Sequence, residues 1–195
     1  MEDKCNILVL SCGTRNKIVS YFKKELQGKG QVFAADCCEL APALYEADKY
    51  FIVPKITEEG YIDKIISICK EYEINAILSL IDPELSLLAK YKDKFIEIGT
   101  TPIISDYEIV EMCYNKYFFY KFLIHNNFNA IKSYIDKELF YRDLSLGKIS
   151  FPVFIKPIKG SASININKIS SKEEVEILFK KYNDLIIQEY INGIE

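Results

Sequence analysis

The sequence predicts an α/β protein in which a doubly wound parallel sheet is followed by a smaller α+β region. Up to residue 105, short continuous apolar runs alternate with amphipathic helical patterns. The runs lack polar alternation, which is typical of parallel strands buried on both faces. From Asp106 the regular alternation ends, and helices and strands follow in mixed order. We therefore expect a domain boundary near residue 110.

The first part contains eight predicted elements. The second and fifth each place four apolar residues at helical spacing, and the seventh has Pro83 in its first turn, where a missing N–H costs nothing. In order they are strand 6–12, helix 16–26, strand 31–36, strand 49–54, helix 59–73, strand 75–81, helix 83–95 and strand 101–105.

The second part mixes helices with strands that suit an antiparallel sheet. Asp106 is a candidate N-cap of its first helix, and Ser171 with Glu174 forms a capping box before a later one. In order we expect helix 106–127 with a break near Asn115, strand 129–135, helix 136–146, strand 151–158, strand 163–169, helix 171–183 and strand 184–191.

Composition excludes several classes of function. The 195 residues carry a net charge of -3 without a basic stripe, which argues against nucleic-acid binding. No apolar run approaches the roughly 20 residues that span a bilayer, and the amino terminus is a poor signal peptide, so we expect a cytoplasmic protein that does not bind membranes. Six cysteines without a C-x-x-C pair and a single histidine predict reduced thiols and no metal site in this chain.

The carboxyl ends of the predicted parallel strands carry the first candidate residues, because open parallel sheets bind ligands at that edge. Arg15 could meet an anionic substrate, and Asp82 and Glu84 open a helix after a strand. The alternatives are a surface arginine and acids that favour the helix dipole. Gly13 at the first strand–helix turn and Asp36 at the end of the next strand are placed like the glycine and the acidic residue of a dinucleotide site, although the G-x-G-x-x-G spacing is absent.

Lys156 stands inside the apolar run "FPVFIKPI". In a strand it shares one face with Phe154 and Ile158, while Val153 and Ile155 take the other. An unpaired buried ammonium is costly, so this lysine needs an anion, and lysine suits phosphate. The small residues that follow, "GSAS", offer backbone N–H groups that can approach phosphate oxygens closely. The alternative is a surface hairpin with a lysine that reaches solvent.

Six motifs in order resemble the ATP-grasp superfamily, and within it the proteins similar to the carbamoyl phosphate synthase large subunit. They are "ILVLSCGTR", "ADKYFIVP", "INAILSLIDPELSLLA", "MCYNKYFFYKFL", "FPVFIKPIKGSASI" and "LIIQEYINGIE". The resemblance implies a Rossmann-like preATP-grasp domain at 1–110 and, at 111–195, the N-terminal part of an ATP-grasp domain, truncated before the second lobe.

The resemblance also implies roles for individual residues. Lys116 and Lys156 would contact the nucleotide near its α-phosphate, and Glu195 would meet the ribose hydroxyls. The backbone of Glu189 and Ile191 would bond the purine edge. The loop over the phosphates would comprise Gly160, Ser161, Ala162 and Ser163, and the adenine hinge Gln188, Glu189, Tyr190 and Ile191. Three positions depart from the usual family pattern: Asn115 stands where aspartate is frequent, Asn165 where glycine is frequent and Gln188 where glutamate is frequent.

The chemistry implied is ATP-driven ligation with Mg²⁺, in which a small-molecule carboxylate becomes an acyl phosphate that an amine attacks. The sequence identifies no catalytic residue, and the metal ligands are expected outside this chain, in the second lobe that should follow Glu195. We therefore expect a fragment without ligase activity and with weak ATP binding at best. A homodimer is possible, since the family often dimerises. The alternatives are a non-catalytic binding or subunit module, or an NAD(P)-dependent oxidoreductase that uses Gly13 and Asp36.

Overall fold

A computed structural model describes residues 4–160 and 164–193. The chain divides into two compact units, Met1–Val110 and Glu111–Glu195. The division falls within one helix, Tyr107–Tyr114. Each unit is described on its own below.

The first unit contains a parallel five-stranded sheet, which confirms the predicted α/β class. Its strands are β1 (Ile7–Leu10), β2 (Val32–Asp36), β3 (Lys49–Ile52), β4 (Ala76–Ser79) and β5 (Thr101–Pro102), in the spatial order β3-β2-β1-β4-β5. The helices between them are α1 (Asn16–Leu26), α2 (Tyr61–Glu71), α3 (Asp82–Lys90) and α4 (Lys92–Ile96), with a 3₁₀ helix at Pro42–Glu46.

The central strands β1 and β2 are buried on both faces, as expected for strands without polar alternation, whereas three of the four residues of the edge strand β3 are exposed. Leu8 and Leu10 point into one core with Phe33, while Val9 points into the other core with Val19 of α1. Most elements are a few residues shorter than predicted, and two differ further. Helix 83–95 is divided at Tyr91 into α3 and α4, and strand 101–105 ends early because the N–H of Ile104 turns back to the carbonyl of Pro102.

The second unit contains an antiparallel four-stranded sheet. Its strands are β6 (Ser133–Tyr134), β7 (Val153–Pro157), β8 (Asn167–Ile169) and β9 (Leu185–Glu189), in the order β6-β9-β7-β8. Helix α5 (Tyr107–Tyr114) leads into it, and α6 (Lys116–His125), α7 (Lys137–Ser145) and α8 (Lys172–Lys181) complete it. The predicted break near Asn115 and the capping bond from the Glu174 N–H to Ser171 Oγ are both present.

One face of this second sheet is covered by two helices. Val153 and Ile155 of β7 and Ile187 of β9 are fully buried there, against Phe140 of α7 and Val175 of α8. Because side chains alternate along a strand, the residues between them point the other way. We call that side the outer face. It carries Phe154 and Lys156 of β7 with Ile186 and Gln188 of β9, and Ser133 of β6 stands opposite Gln188.

Candidate functional site

Lys156 lies on the outer face of the second sheet, as its place in the sequence predicts. It is half-buried, while its neighbour Ile155 is fully buried on the opposite side. Burial lowers the pKa of its ammonium, and no opposing charge compensates for this within the described part of the chain. A half-buried cation of this kind costs stability until an anion pairs with it.

Gln188 stands on the same face, directly opposite Phe154 in the register of β7 and β9. Its Nε2 donates a hydrogen bond of 2.7 Å to Ser133 Oγ. Ser133 Oγ in turn donates to the carbonyl oxygen of Ile131 at 2.9 Å. Gln188 was predicted from the sequence, whereas Ser133 was not, because its contact depends on how β6 pairs with β9.

Lys116 opens helix α6 and reaches toward the residues that follow β7. Its Nζ donates to the carbonyl oxygens of Gly160 at 2.9 Å and Ile158 at 3.4 Å. Its backbone N–H also bonds the Ile158 carbonyl, at 3.1 Å. The structure therefore brings Lys116 and Gly160 together, and the lysine holds the start of the small-residue loop.

Asn115 fixes the position of Lys116 by capping α6. Its side-chain oxygen accepts from the N–H groups of Tyr117 at 3.1 Å and Phe118 at 3.0 Å. Aspartate caps helices about as well as asparagine. The departure from the family pattern at this position is therefore conservative for the helix start.

We expect Asn115→Ala to destabilise the second unit by about 1 kcal/mol, because two N–H groups of the first helical turn lose their acceptor. Asn115→Asp should retain most of the stability, since the carboxylate accepts the same two bonds. Urea unfolding of the three proteins checks this, and equal losses for both substitutions would contradict the capping role.

A cavity of about 290 Å³ lies beside Lys116 and Gln188 in the second unit. Lys116 and Gln188 contribute polar atoms to its lining, and the remaining wall is largely apolar. A mostly apolar pocket with a few polar groups is the usual form of a small-molecule site. The other lining residues are Phe119, Tyr120, Leu123, Asn129, Ala130 and Ile131.

The segment after Gln188 is the predicted hinge. The N–H of Glu189 donates to the Lys132 carbonyl at 3.0 Å, so a purine could use only the carbonyl of this residue. Tyr190 packs its ring 5.5 Å from that of Phe154 and carries the Lys168 ammonium 4.0 Å above it. Ile191 is exposed, and its N–H bonds no backbone carbonyl in the described part of the chain.

Several predicted residues lie outside the described residues: Ser161, Ala162, Ser163 and Glu195. Two positions after this loop, Asn165 has a left-handed backbone with a φ of 58°. Glycine and asparagine both tolerate that conformation. Asparagine in place of the family's frequent glycine is therefore compatible with the turn.

In the first unit, Glu84 is fully buried rather than open to solvent. Its carboxylate accepts hydrogen bonds from the Tyr61 hydroxyl and Ser79 Oγ. Burial raises its pKa despite these bonds, because desolvation penalises the charged form. These contacts hold the Glu84 carboxylate inside the first unit, away from the exposed edge where a substrate was expected to meet it.

We expect the stability of Glu84→Gln relative to the natural protein to increase as the pH rises from about 4.3, the ordinary glutamate pKa. A carboxyl whose pKa is raised by folding stabilises fully below its ordinary pKa and loses that contribution as the pH passes the folded value. Glutamine keeps the shape without the charge. Unfolding free energies at pH 4.5 and 7.5 check this, and a difference independent of pH would contradict it.

Arg15 and Asp82 remain as candidates at the carboxyl edge of the parallel sheet. Arg15 is half-buried and donates from Nη1 to the Ser11 carbonyl at 3.2 Å and from Nη2 to the Leu80 carbonyl at 3.5 Å. Asp82 is the first residue of α3 and is partly exposed. Neither the hydrogen bonds of Arg15 nor the position of Asp82 identifies a ligand.

The Gly13 and Asp36 pair has a structural explanation. Asp36 is buried and accepts from the N–H of Gly13 at 2.8 Å and of Cys38 at 2.9 Å. Its carboxylate thus fixes the turn between β1 and α1. This arrangement disfavours the dinucleotide interpretation, which needs the carboxylate for a ribose hydroxyl.

The described residues contain neither a metal-ligand cluster nor a helix suited to cross a membrane. No group of histidine, cysteine, aspartate and glutamate side chains there could hold a metal ion. None of the helices in that part of the chain is both long and apolar enough to cross a membrane.

The N-terminal part of the chain matches the model of a known protein family. The family model described as "PylC-like, N-terminal domain" matches residues 7–103. This segment, just under half of the chain, is therefore similar to PylC-like N-terminal domains. The resemblance to the ATP-grasp superfamily is thereby confirmed for the N-terminal part of the chain.

Similar solved structures match nearly the whole chain, including the unit that follows the matched segment. The biotin carboxylase domain of Hydrogenobacter thermophilus 2-oxoglutarate carboxylase, in complex with MgADP, ADP and bicarbonate, matches with a TM-score of 0.74 and 18% identity over 96% of this chain and 44% of its own. An L-amino acid ligase from Bacillus licheniformis matches with a TM-score of 0.69 and 16% identity, over 99% and 46%. At these identities the likeness concerns the fold.

Among curated proteins, a D-alanine–D-alanine ligase of Flavobacterium johnsoniae is 35% identical over 52 residues, which are 25% of this chain and 16% of the ligase. The chain therefore spans about half the length of these solved structures, and its match covers a smaller part of this curated relative.

Proposed function

We propose that the chain is the preATP-grasp domain and the first nucleotide-binding lobe of an ATP-dependent ligase that joins a carboxylate to an amine. The observation that carries the proposal is the outer face of the second sheet. There a half-buried lysine, Lys156, has no opposing charge among residues 4–160 and 164–193, and Lys116 and Gln188 line a largely apolar cavity. ATP supplies both the phosphate that Lys156 needs and a base for such a cavity.

The roles of these residues follow from their positions. Lys156 offers its three N–H donors to phosphate oxygens. Lys116 bonds the carbonyls on both sides of Lys159 and could reach a phosphate while it holds the start of the loop. The carbonyl of Glu189 and the N–H of Ile191 would meet the edge of the base. Gly160 to Ser163 would cover the phosphates, and Glu195 would accept from the ribose.

The ligase chemistry itself is proposed for a longer assembly. A D-alanine–D-alanine ligase and an L-amino acid ligase are among the similar proteins, and both names describe the joining of amino acids. Mg²⁺ would neutralise phosphate charge and promote acyl phosphate formation, with ligands from outside the described residues. This chain would bind ATP weakly, and arrangement as a homodimer and a cytoplasmic location remain part of the proposal.

Titration of the 195-residue chain with ATP and, separately, with NADH tests the proposal. We expect saturable ATP binding, detected by ligand-observed NMR at millimolar concentration, and no saturable NADH binding. Saturation by NADH without any by ATP would instead support the oxidoreductase alternative. The absence of binding by either nucleotide would support a module that keeps the fold without nucleotide chemistry.

A further inference from the structure

Two consecutive hydrogen bonds on the outer face have a fixed direction. The carbonyl oxygen of Ile131 can only accept, so the 2.9 Å contact requires Ser133 to direct its hydroxyl hydrogen there. The lone pairs of Ser133 Oγ are then left to accept, and Gln188 Nε2 donates to them at 2.7 Å. The donor end of the Gln188 amide is therefore the end that contacts Ser133.

The amide carbonyl, Oε1, is consequently the end left for a ligand in the cavity that Gln188 lines. We propose that Ser133 is a positioning residue that fixes the Gln188 amide with Oε1 as the acceptor, so that the site selects a purine with an amino group over one with a keto group. This inference rests on the proposed nucleotide site and adds to it the means of base selection.

Glutamine needs such a partner at this position, whereas glutamate would not. A carboxylate presents acceptors at both ends, while an amide that rotates by half a turn exchanges its acceptor for a donor. Ser133 is suited to prevent the rotation because it is only 5% exposed, so water cannot easily replace its bonds. Ser133 of β6 thus fixes the amide orientation that glutamine requires at position 188 and that glutamate would not require.

ATP and inosine triphosphate differ at the substituent that such an acceptor would meet. ATP carries an amino group there, which donates to Oε1. Inosine triphosphate carries a carbonyl oxygen, which opposes Oε1 without a hydrogen between them. A buried polar group left without its partner costs affinity, so the fixed amide should prefer ATP.

Dissociation constants for ATP and inosine triphosphate, measured by ligand-observed NMR on the 195-residue chain, test the inference. We expect the natural protein to prefer ATP by about 10-fold or more, the effect of one hydrogen bond gained against one acceptor left unpaired. Ser133→Ala should reduce the preference to about 2-fold, because the amide can then turn either end to the base. Ser145→Ala is the matched control, since Ser145 Oγ also donates to a backbone carbonyl but on α7, the helix of the opposite face.

The double variant Ser133→Ala with Gln188→Glu provides the rescue. A carboxylate presents an acceptor at either end and needs no partner to orient it. The preference for ATP should therefore return although the Ser133 hydroxyl is absent. If Ser133→Ala does not fold, Ser133→Thr, which keeps the hydroxyl, and Gln188→Glu should both retain the preference, and loss of it in either would overturn the inference.

The outcomes separate this inference from the proposed function. If neither nucleotide binds the natural protein, the nucleotide site itself is refuted and the inference with it. If ATP binds but inosine triphosphate binds equally well, or if Ser133→Ala leaves the ratio unchanged, nucleotide binding stands and the role of Ser133 is refuted.

Discussion

Replacing Lys156 with methionine is expected to weaken ATP binding about 10- to 100-fold while it stabilises the ligand-free protein. The loss follows from removing a charged donor to phosphate, worth roughly 1.5 to 3 kcal/mol. The gain in stability follows from removing a half-buried ammonium that lacks an opposing charge in the described part of the chain. Because much of the charge still reaches solvent, the gain should be about 0.5 to 1 kcal/mol.

The direction of the pH effect supports the same interpretation. Folding lowers the pKa of Lys156, so its ammonium costs stability at neutral pH and the cost declines as the pH rises above the folded pKa. The advantage of Lys156→Met should therefore shrink toward pH 10.5. Nucleotide titration measures the loss of ATP affinity, and urea unfolding measures the gain in stability and its dependence on pH. Lys180→Met, on the exposed side of α8, is the control. A variant that loses ATP binding and is also less stable would indicate a structural lysine.

Replacing Gly30 with alanine is expected to destabilise the first unit by about 3 to 5 kcal/mol, the upper range for single substitutions. A Cβ atom there would lie 1.8 Å from the carbonyl oxygen of Cys5 and 2.5 Å from its carbonyl carbon. These are backbone atoms, and the Cys5 N–H also bonds the Lys29 carbonyl at 2.9 Å. The substitution must therefore separate the segments that lead into β1 and β2.

Gly28 in the same loop is the matched control for Gly30. It has a φ of 82°, and nothing lies within 4 Å of a Cβ added there. Gly28→Ala should cost only about 1 kcal/mol, the penalty for a left-handed backbone. Urea unfolding measured by circular dichroism compares the two variants. Equal losses would contradict the close approach at Gly30.

Local patterns were sufficient to predict most of the elements and the side of the sheet on which Lys156 lies. Continuous apolar runs identified β1, β2 and β4, because both faces of a parallel sheet need apolar residues. Alternation along β7 placed Val153 and Ile155 in the core and Lys156 on the other side, as the structure has them. Such features depend only on neighbours in the chain.

Contacts between distant segments could not be predicted in the same way. The bond between Gln188 and Ser133 joins residues 55 positions apart and requires the register of β6 and β9. The bond from Lys116 to Gly160 joins residues 44 positions apart. The burial of Glu84 depends on Tyr61 from another helix. A sequence pattern cannot specify these pairings, because short strands and loops fit several registers equally well.

The central claim is that the outer face of the second sheet, with Lys116, Lys156 and Gln188, is a nucleotide site. Photolabelling of the 195-residue chain with 8-azido-ATP, followed by peptide mapping, tests it most directly. We predict labelled peptides from segments 116–131 and 186–193, with labelling suppressed by excess ATP. Label that ATP suppresses only within residues 7–103, or label that excess ATP does not suppress at all, would contradict the claim.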